Sequence, residues 1–207
     1  MEKLTRAFYN RDTLTAAQAL LGKYLVRVQD GQPLVVRITE TEAYIGRMDK
    51  ACHAYGYKRT KRTETLFAPP GTAYLYLIYG MYTCLNLVTE PAGEPCAVLL
   101  RAGTGVQGCD QMSHNRFGCP QAEQTAYQRR HFLDGPGKLC KALSLTTAQN
   151  GLDLTGDTLF VAGSLPGCPA YPVDPAQIQT GPRVGIDYAE EAAAFPWRFW
   201  LESAGRS

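Results

Sequence analysis

The chain lacks any uninterrupted apolar segment near the roughly 18 residues that cross a bilayer. Its opening Met1-Glu2-Lys3-Leu4-Thr5-Arg6 also lacks the apolar stretch of a secretory signal. A soluble, intracellular protein is therefore expected. Seven cysteines, at positions 52, 84, 96, 109, 119, 140 and 168, are odd in number and too scattered for a secreted disulfide framework, so reduced thiols are expected. Cys109, His114, Cys119 and His131 match no zinc spacing, and no bound metal is expected. Gly135-Pro136-Gly137-Lys138 lacks both the glycine spacing of a phosphate loop and the hydroxyl after its lysine, so no nucleotide cofactor is expected. A helix starting at Pro136 can still offer free backbone amides to a phosphate. A net charge of +2 is not the strong basic excess that announces a polyanionic partner. Lys58, Arg59, Lys61 and Arg62 are nevertheless clustered, and such a run serves equally as a phosphate contact or a solvated loop.

What is present reads as one domain. At 207 residues and 45% hydrophobic, the chain can bury its own core. Thr13 to Gly22 has a threonine to cap it, helical apolar spacing and a terminal glycine. Lys23–Val28 and Leu34–Glu42 read as strands of a hairpin turned at Asp30-Gly31. Strict alternation would put Leu34, Val36, Ile38, Glu40 and Glu42 on one face, two carboxylates continuing an apolar stripe. Ala73–Tyr79 and Tyr82–Val88 read as strands joined at Gly80-Met81, and Cys96–Arg101 as another, with glycines 103, 105 and 108 taking the chain out of the sheet. Gln121–Leu133 and a segment from Pro136 through Leu143 suit helices, and Gly163–Pro175 suits a loop. With no internal repeat or linker, the expectation is a single α+β domain over residues 1–207.

Glu40-Thr41-Glu42-Ala43-Tyr44, followed by Asp49 and His53, closes a core-like strand with acids, an aromatic ring and an imidazole. A carboxylate in a partly dry pocket can take a proton from water and stabilise positive charge on a sugar. The competing reading pairs one glutamate with a basic residue and leaves the other in water. Tyr74, Tyr76, Tyr79 and Tyr82 suit ordinary cross-strand packing. Tyr79, beside a turn, can instead project as a wedge of the kind that fills the gap left by an extruded base. Arg101, at a strand end, can meet a phosphate or hold a water.

Taken in order, Glu40-Thr41-Glu42-Ala43-Tyr44-Ile45-Gly46, Asp49 and His53, Phe67 with Pro70-Gly71, Tyr74 through Tyr82, Asn86, and Ala97-Val98-Leu99-Leu100-Arg101-Ala102 resemble the alkyladenine, or 3-methyladenine, DNA glycosylase family. The resemblance runs from the first helix to Gly135-Pro136-Gly137-Lys138-Leu139-Cys140, with a weaker echo in Arg183-Val184-Gly185 and Pro196-Trp197-Arg198-Phe199. It implies a mixed fold with a curved, mainly antiparallel sheet and short helices, working as a monomer without metal or cofactor. It implies that Glu42, not Glu40, activates water and that Arg101 organises the site. Tyr44, His53 and Tyr76 would surround the extruded base, and Asn86 would help reject guanine's amino group. Tyr79 would intercalate, with Met81 near the displaced strand.

The implied activity is release of alkylated or deaminated purines from double-stranded DNA by water attack, without strand cleavage, since no amine nucleophile is supplied. The location would be cytoplasmic, at the nucleoid in a bacterium, or nuclear in a eukaryote. Arg62-Thr63-Glu64, Ala102-Gly103-Thr104-Gly105 and the ending Glu202–Ser207 depart from the family's common pattern, in regions that bear on DNA contacts and lesion range. Two other readings compete: a hydrolase of free nucleosides, which has no use for a Tyr79 wedge, and a damage-binding protein that flips bases without cutting.

Overall fold

The computed structural model describes residues 2–202. Its eight strands, β1 (Tyr24–Gln29), β2 (Gln32–Ile45), β3 (Ala73–Ile78), β4 (Tyr82–Thr89), β5 (Cys96–Gln107), β6 (Leu159–Ala162), β7 (Ile178–Gly181) and β8 (Arg198–Leu201), form one curled antiparallel sheet. The α+β class with short helices is as the sequence suggests. The main path runs β3-β4-β5-β2-β1-β6. The β1–β2 hairpin turns at Asp30 and Gly31, both with positive φ, as a tight two-residue reversal requires. No helix among the described residues is long and apolar enough to cross a membrane.

Strand β2 is the axis of the sheet. β5 pairs along most of one edge, while the other edge is shared by β1 at Gln32–Arg37 and β8 at Glu40–Glu42. Where these partners change over, the ladder with β5 is irregular: Ile38 faces Gly103, Glu40 faces Ala102 and Thr41 faces Leu100, leaving Thr39 and Arg101 unpaired. An extra residue in a strand reverses which side chains face which way. Leu34, Val36 and Ile38 lie in the main core, but beyond the bulge Ala43 does, and the buried Thr41 hydroxyl donates to the Ala17 carbonyl. The expected continuous stripe is thereby corrected. Glu42 and Tyr44 leave the core face and open onto the opposite side of the sheet.

The main core packs the inner face of the sheet against α2 (Thr13–Ala19), α3 (Cys109–Phe117) and α5 (Pro136–Ala142) through Ala16, Leu20, Met112, Leu139 and Leu143. Asp12, rather than a threonine, caps α2; Thr13 is buried and donates to Glu90. The expected exit from the sheet at Gly103 is also corrected, because β5 continues to Gln107. A Cβ at Gly103 would lie 2.7 Å from the Arg37 carbonyl oxygen, so the glycine serves close strand approach, not a turn. In place of one helix over Gln121–Leu133 there is a 3-10 turn at Gln121–Glu123 and then α4 (Ala126–Arg130), restarted by a Thr125–Gln128 capping box. The short α1 (Arg6–Tyr9) completes the helices. A second cluster, including Cys52, Phe67, Tyr74, Val88 and Ala97, lies on the face onto which Tyr44 and Tyr76 pack.

Candidate active site

A cavity of about 280 Å³ opens on that second face. Glu42, Tyr44, Leu99 and Arg101 reach it from β2 and β5, Tyr74, Tyr76 and Asn86 from β3 and β4, and His53 from the segment after β2. Val184, Gly185, Ile186 and Tyr188 close it from the stretch after β7, and Pro136 from the start of α5.

Glu42 is 0% exposed. Its Oε1 accepts from the Val184 amide at 2.8 Å and lies 3.3 Å from Arg101 Nη1, while its Oε2 accepts from the Tyr44 hydroxyl at 2.7 Å. Two hydrogen bonds and the Arg101 ion pair thus hold a carboxylate that offers about four lone-pair directions, which leaves it capacity to accept from water. Burial, and then the Glu42 charge, push the Tyr44 hydroxyl well above its ordinary range, so it stays protonated and donates. Arg101 also binds Glu40 through Nε at 3.1 Å, and Arg198 joins Glu40 at 3.3 Å. Glu40 thus has two arginines and does not line the cavity, whereas Glu42 does.

In the aromatic wall His53 packs edge-on to both Tyr74 and Tyr76, which are tilted 34° to each other. His53 and Tyr76 have centroids 4.6 Å apart with planes at 79°, and Tyr74 lies 5.3 Å from Tyr76. His53 Nε2 is 3.4 Å from Arg62 Nη2, and its Nδ1 is 3.1 Å from the Tyr74 hydroxyl. Because arginine can only donate, this arrangement puts the ring proton on Nδ1. Burial, and secondarily the Arg62 charge, bring the imidazole down to about 4, so it is neutral at physiological pH. The buried Asn86 side chain donates to the Tyr74 carbonyl at 3.3 Å, which fixes its amide at the cavity wall.

Tyr79, Gly80 and Met81 form the tip between β3 and β4 at the cavity mouth. Tyr79 and Gly80 both have positive φ, and the Met81 amide bonds back to Ile78. Tyr79 is 80% exposed and Met81 71%. Tyr79 thus projects from the turn in a left-handed backbone conformation that L residues disfavour.

The sequence-expected residues Glu42, Arg101, Tyr44, His53, Tyr76 and Asn86 therefore converge, with Tyr79 at the rim and Met81 on the tip. Asp49 does not line the cavity; it is 0% exposed and bound to Arg183. In the basic run, Arg59 is paired with Glu64, and Arg62 reaches His53. His131 contacts Asp134. Sequence reasoning missed Val184, Ile186 and Tyr188. The only signal for them was the weak echo at Arg183-Val184-Gly185, since a donor that is a backbone amide has no residue signature.

A family model described as Methylpurine-DNA glycosylase (MPG) matches residues 7–204. Relatives include a protein of Desulfitobacterium hafniense (strain Y51), 47% identical over 204 residues that cover 99% of this chain and 97% of its own. Others come from Clostridium perfringens (strain SM101 / Type A), 46% identical with 97% and 96% covered, and Bacillus cytotoxicus, 46% identical with 95% and 94% covered. Each is named, provisionally, a 3-methyladenine DNA glycosylase. The chain belongs to the methylpurine-DNA glycosylase family, enzymes that hydrolyse N-glycosyl bonds.

Proposed function

We propose that this protein, acting as a monomer of one domain, flips damaged purines out of double-stranded DNA and cleaves their N-glycosidic bond with water, initiating base excision repair. The observation that carries the reading is Glu42, buried in the wall of an aromatic cavity, hydrogen-bonded by the Tyr44 hydroxyl and the Val184 amide and ion-paired with Arg101.

Tyr79 enters the duplex where the nucleotide leaves, and Met81 meets the neighbouring strand. The base enters between Tyr44, His53 and Tyr76. An alkylated purine is cationic, which strengthens its attraction to electron-rich tyrosine faces and weakens its bond to the sugar. Asn86 narrows the space available to a guanine amino group. Glu42 accepts a proton from the water as its oxygen adds to the anomeric carbon, and the bonding electrons leave with the base. The sugar passes through an oxocarbenium-like state, which the carboxylate also stabilises. A positioned general base contributes roughly 100- to 10,000-fold. Arg101 bridges Glu40 and Glu42, its guanidinium compensating the charge of both carboxylates. Deaminated purines such as hypoxanthine are included in the proposed range.

The test is base release from duplexes carrying 3-methyladenine, 7-methylguanine, ethenoadenine or hypoxanthine, followed by alkali to reveal abasic sites. Release with formation of abasic sites is expected, inhibited by a long undamaged duplex. Cleavage of free nucleosides that such a duplex does not inhibit would favour the nucleoside hydrolase. Binding with no release from any duplex would favour a damage-binding protein.

A further inference from the structure

Asp49 and Arg183 form the most deeply buried ion pair among the described residues, and this mechanism leaves it unused. Arg183 is 5% exposed and forms a bidentate pair with Asp49, Nη1 to Oδ2 at 2.5 Å and Nη2 to Oδ1 at 2.7 Å. Its remaining Nη hydrogens go to the carbonyls of Ala43 at 2.8 Å and Ala192 at 3.1 Å. The guanidinium lies between two rings, with its carbon 4.7 Å from the centre of Tyr44 and 5.1 Å from that of Trp197. Asp49 is itself tied to β2 and the following turn by accepting from the amides of Ile45 and Ala51.

Both flanks of this pair end on Glu42. The ring stacked on Arg183 is that of Tyr44, whose hydroxyl holds Oε2, and the residue after Arg183 supplies the amide that holds Oε1. We infer that Asp49 and Arg183 are positioning residues that aim Glu42 by fixing the Tyr44 ring and the Val184 amide together. The inference rests on Glu42 being the water-activating base. Aspartate is needed because it consumes the guanidinium's charge locally, leaving Glu42 to Arg101. Arginine is needed because only its planar fork reaches two carboxylate oxygens and two carbonyls while stacking on both rings. A lysine keeps the charge but loses this geometry.

The experiment uses the full chain with Asp49→Asn and Arg183→Lys, each assayed well below its unfolding temperature. Single-turnover release from a duplex with one 7-methylguanine is followed from pH 5 to 9, beside affinity for a duplex with a tetrahydrofuran abasic analogue. Misplacing a reacting group by about 1 Å costs roughly 100-fold, which is the loss of release expected here. A carboxylate deprived of donors holds its proton more tightly, so the acid limb of the profile moves to higher pH, while analogue affinity keeps its wild-type value. Val184→Pro, which removes the donor hydrogen at a half-exposed position and leaves the ion pair, is expected to move the acid limb the same way. An acid limb that stays in place in the folded variants, with or without a lower unfolding temperature, overturns the inference. Wild-type protein that releases nothing would instead overturn the proposed function.

Discussion

Tyr44 and Glu42, two residues apart on one strand, hydrogen-bond to each other through their side-chain ends at 2.7 Å. Both project from the same face of β2, and that face is the cavity side because the ladder slips at Thr39 and Arg101. The same irregularity leaves Arg101 outside strand pairing, with its guanidinium between Glu40 and Glu42. A bulge beside an active site commonly re-aims a side chain. Here it turns a strand that faces the core into one that lines the cavity within a few residues.

Close approach of β5 to β2 at Gly103 is what lets the strands run past the bulge. Gly103→Ala would press a methyl group against the Arg37 carbonyl and the Val36 side chain. Overpacking of this kind costs roughly 1–3 kcal/mol. A urea midpoint lowered by that free energy divided by the slope, with the slope itself unchanged, is the expected result, and an unchanged midpoint would show that the strands separate easily.

How far the sequence revealed this architecture depended on whether the signal was local. Asp30-Gly31, the Tyr74–Tyr82 hairpin and the start of α5 were legible because turn and start signals sit within a few residues of the elements they define. Glycines 103 and 105 misled, since a glycine that opens a turn and one that admits a neighbouring strand look alike in one dimension. The face reversal at Thr39 was hidden for a related reason: alternation predicts a regular strand, and a bulge is set by its partner. Most side chains of the cavity could be named from motifs. The Val184 amide could not, because its role comes from where Arg183 is anchored.

Tyr79 makes few demands on the fold, being exposed at the tip. Tyr79→Ala is therefore expected to leave unfolding unchanged while weakening binding to lesion-bearing duplexes. Aromatic stacking on a base is worth about 1–3 kcal/mol, or roughly 5- to 150-fold in affinity. Fluorescence titration with a 2-aminopurine reporter beside the lesion would read both affinity and unstacking. Unaltered values would remove Tyr79 from the wedge role.

His53 carries a pH signature. Its ordinary value of 6.5 falls to about 4 in the folded protein, chiefly through burial and secondarily through Arg62. Between those values the unfolded chain binds more protons, so its contribution to stability is present above about pH 6.5 and is lost as pH falls toward 4. An NMR titration of the imidazole should give a midpoint near 4 that rises in Arg62→Ala. A midpoint at 6.5 in the wild type would mean that the ring is neither buried nor influenced by the arginine.

Glu42 is proposed as the group that activates the water. The most direct measurement is single-turnover release of 7-methylguanine from duplex DNA by wild-type protein and Glu42→Gln, with lesion-duplex affinity measured in parallel. The amide keeps the size of the side chain but cannot take a proton. Release is predicted to fall roughly 100- to 10,000-fold with affinity retained. Release at the wild-type rate from the folded Gln variant would mean that Glu42 does not take the proton.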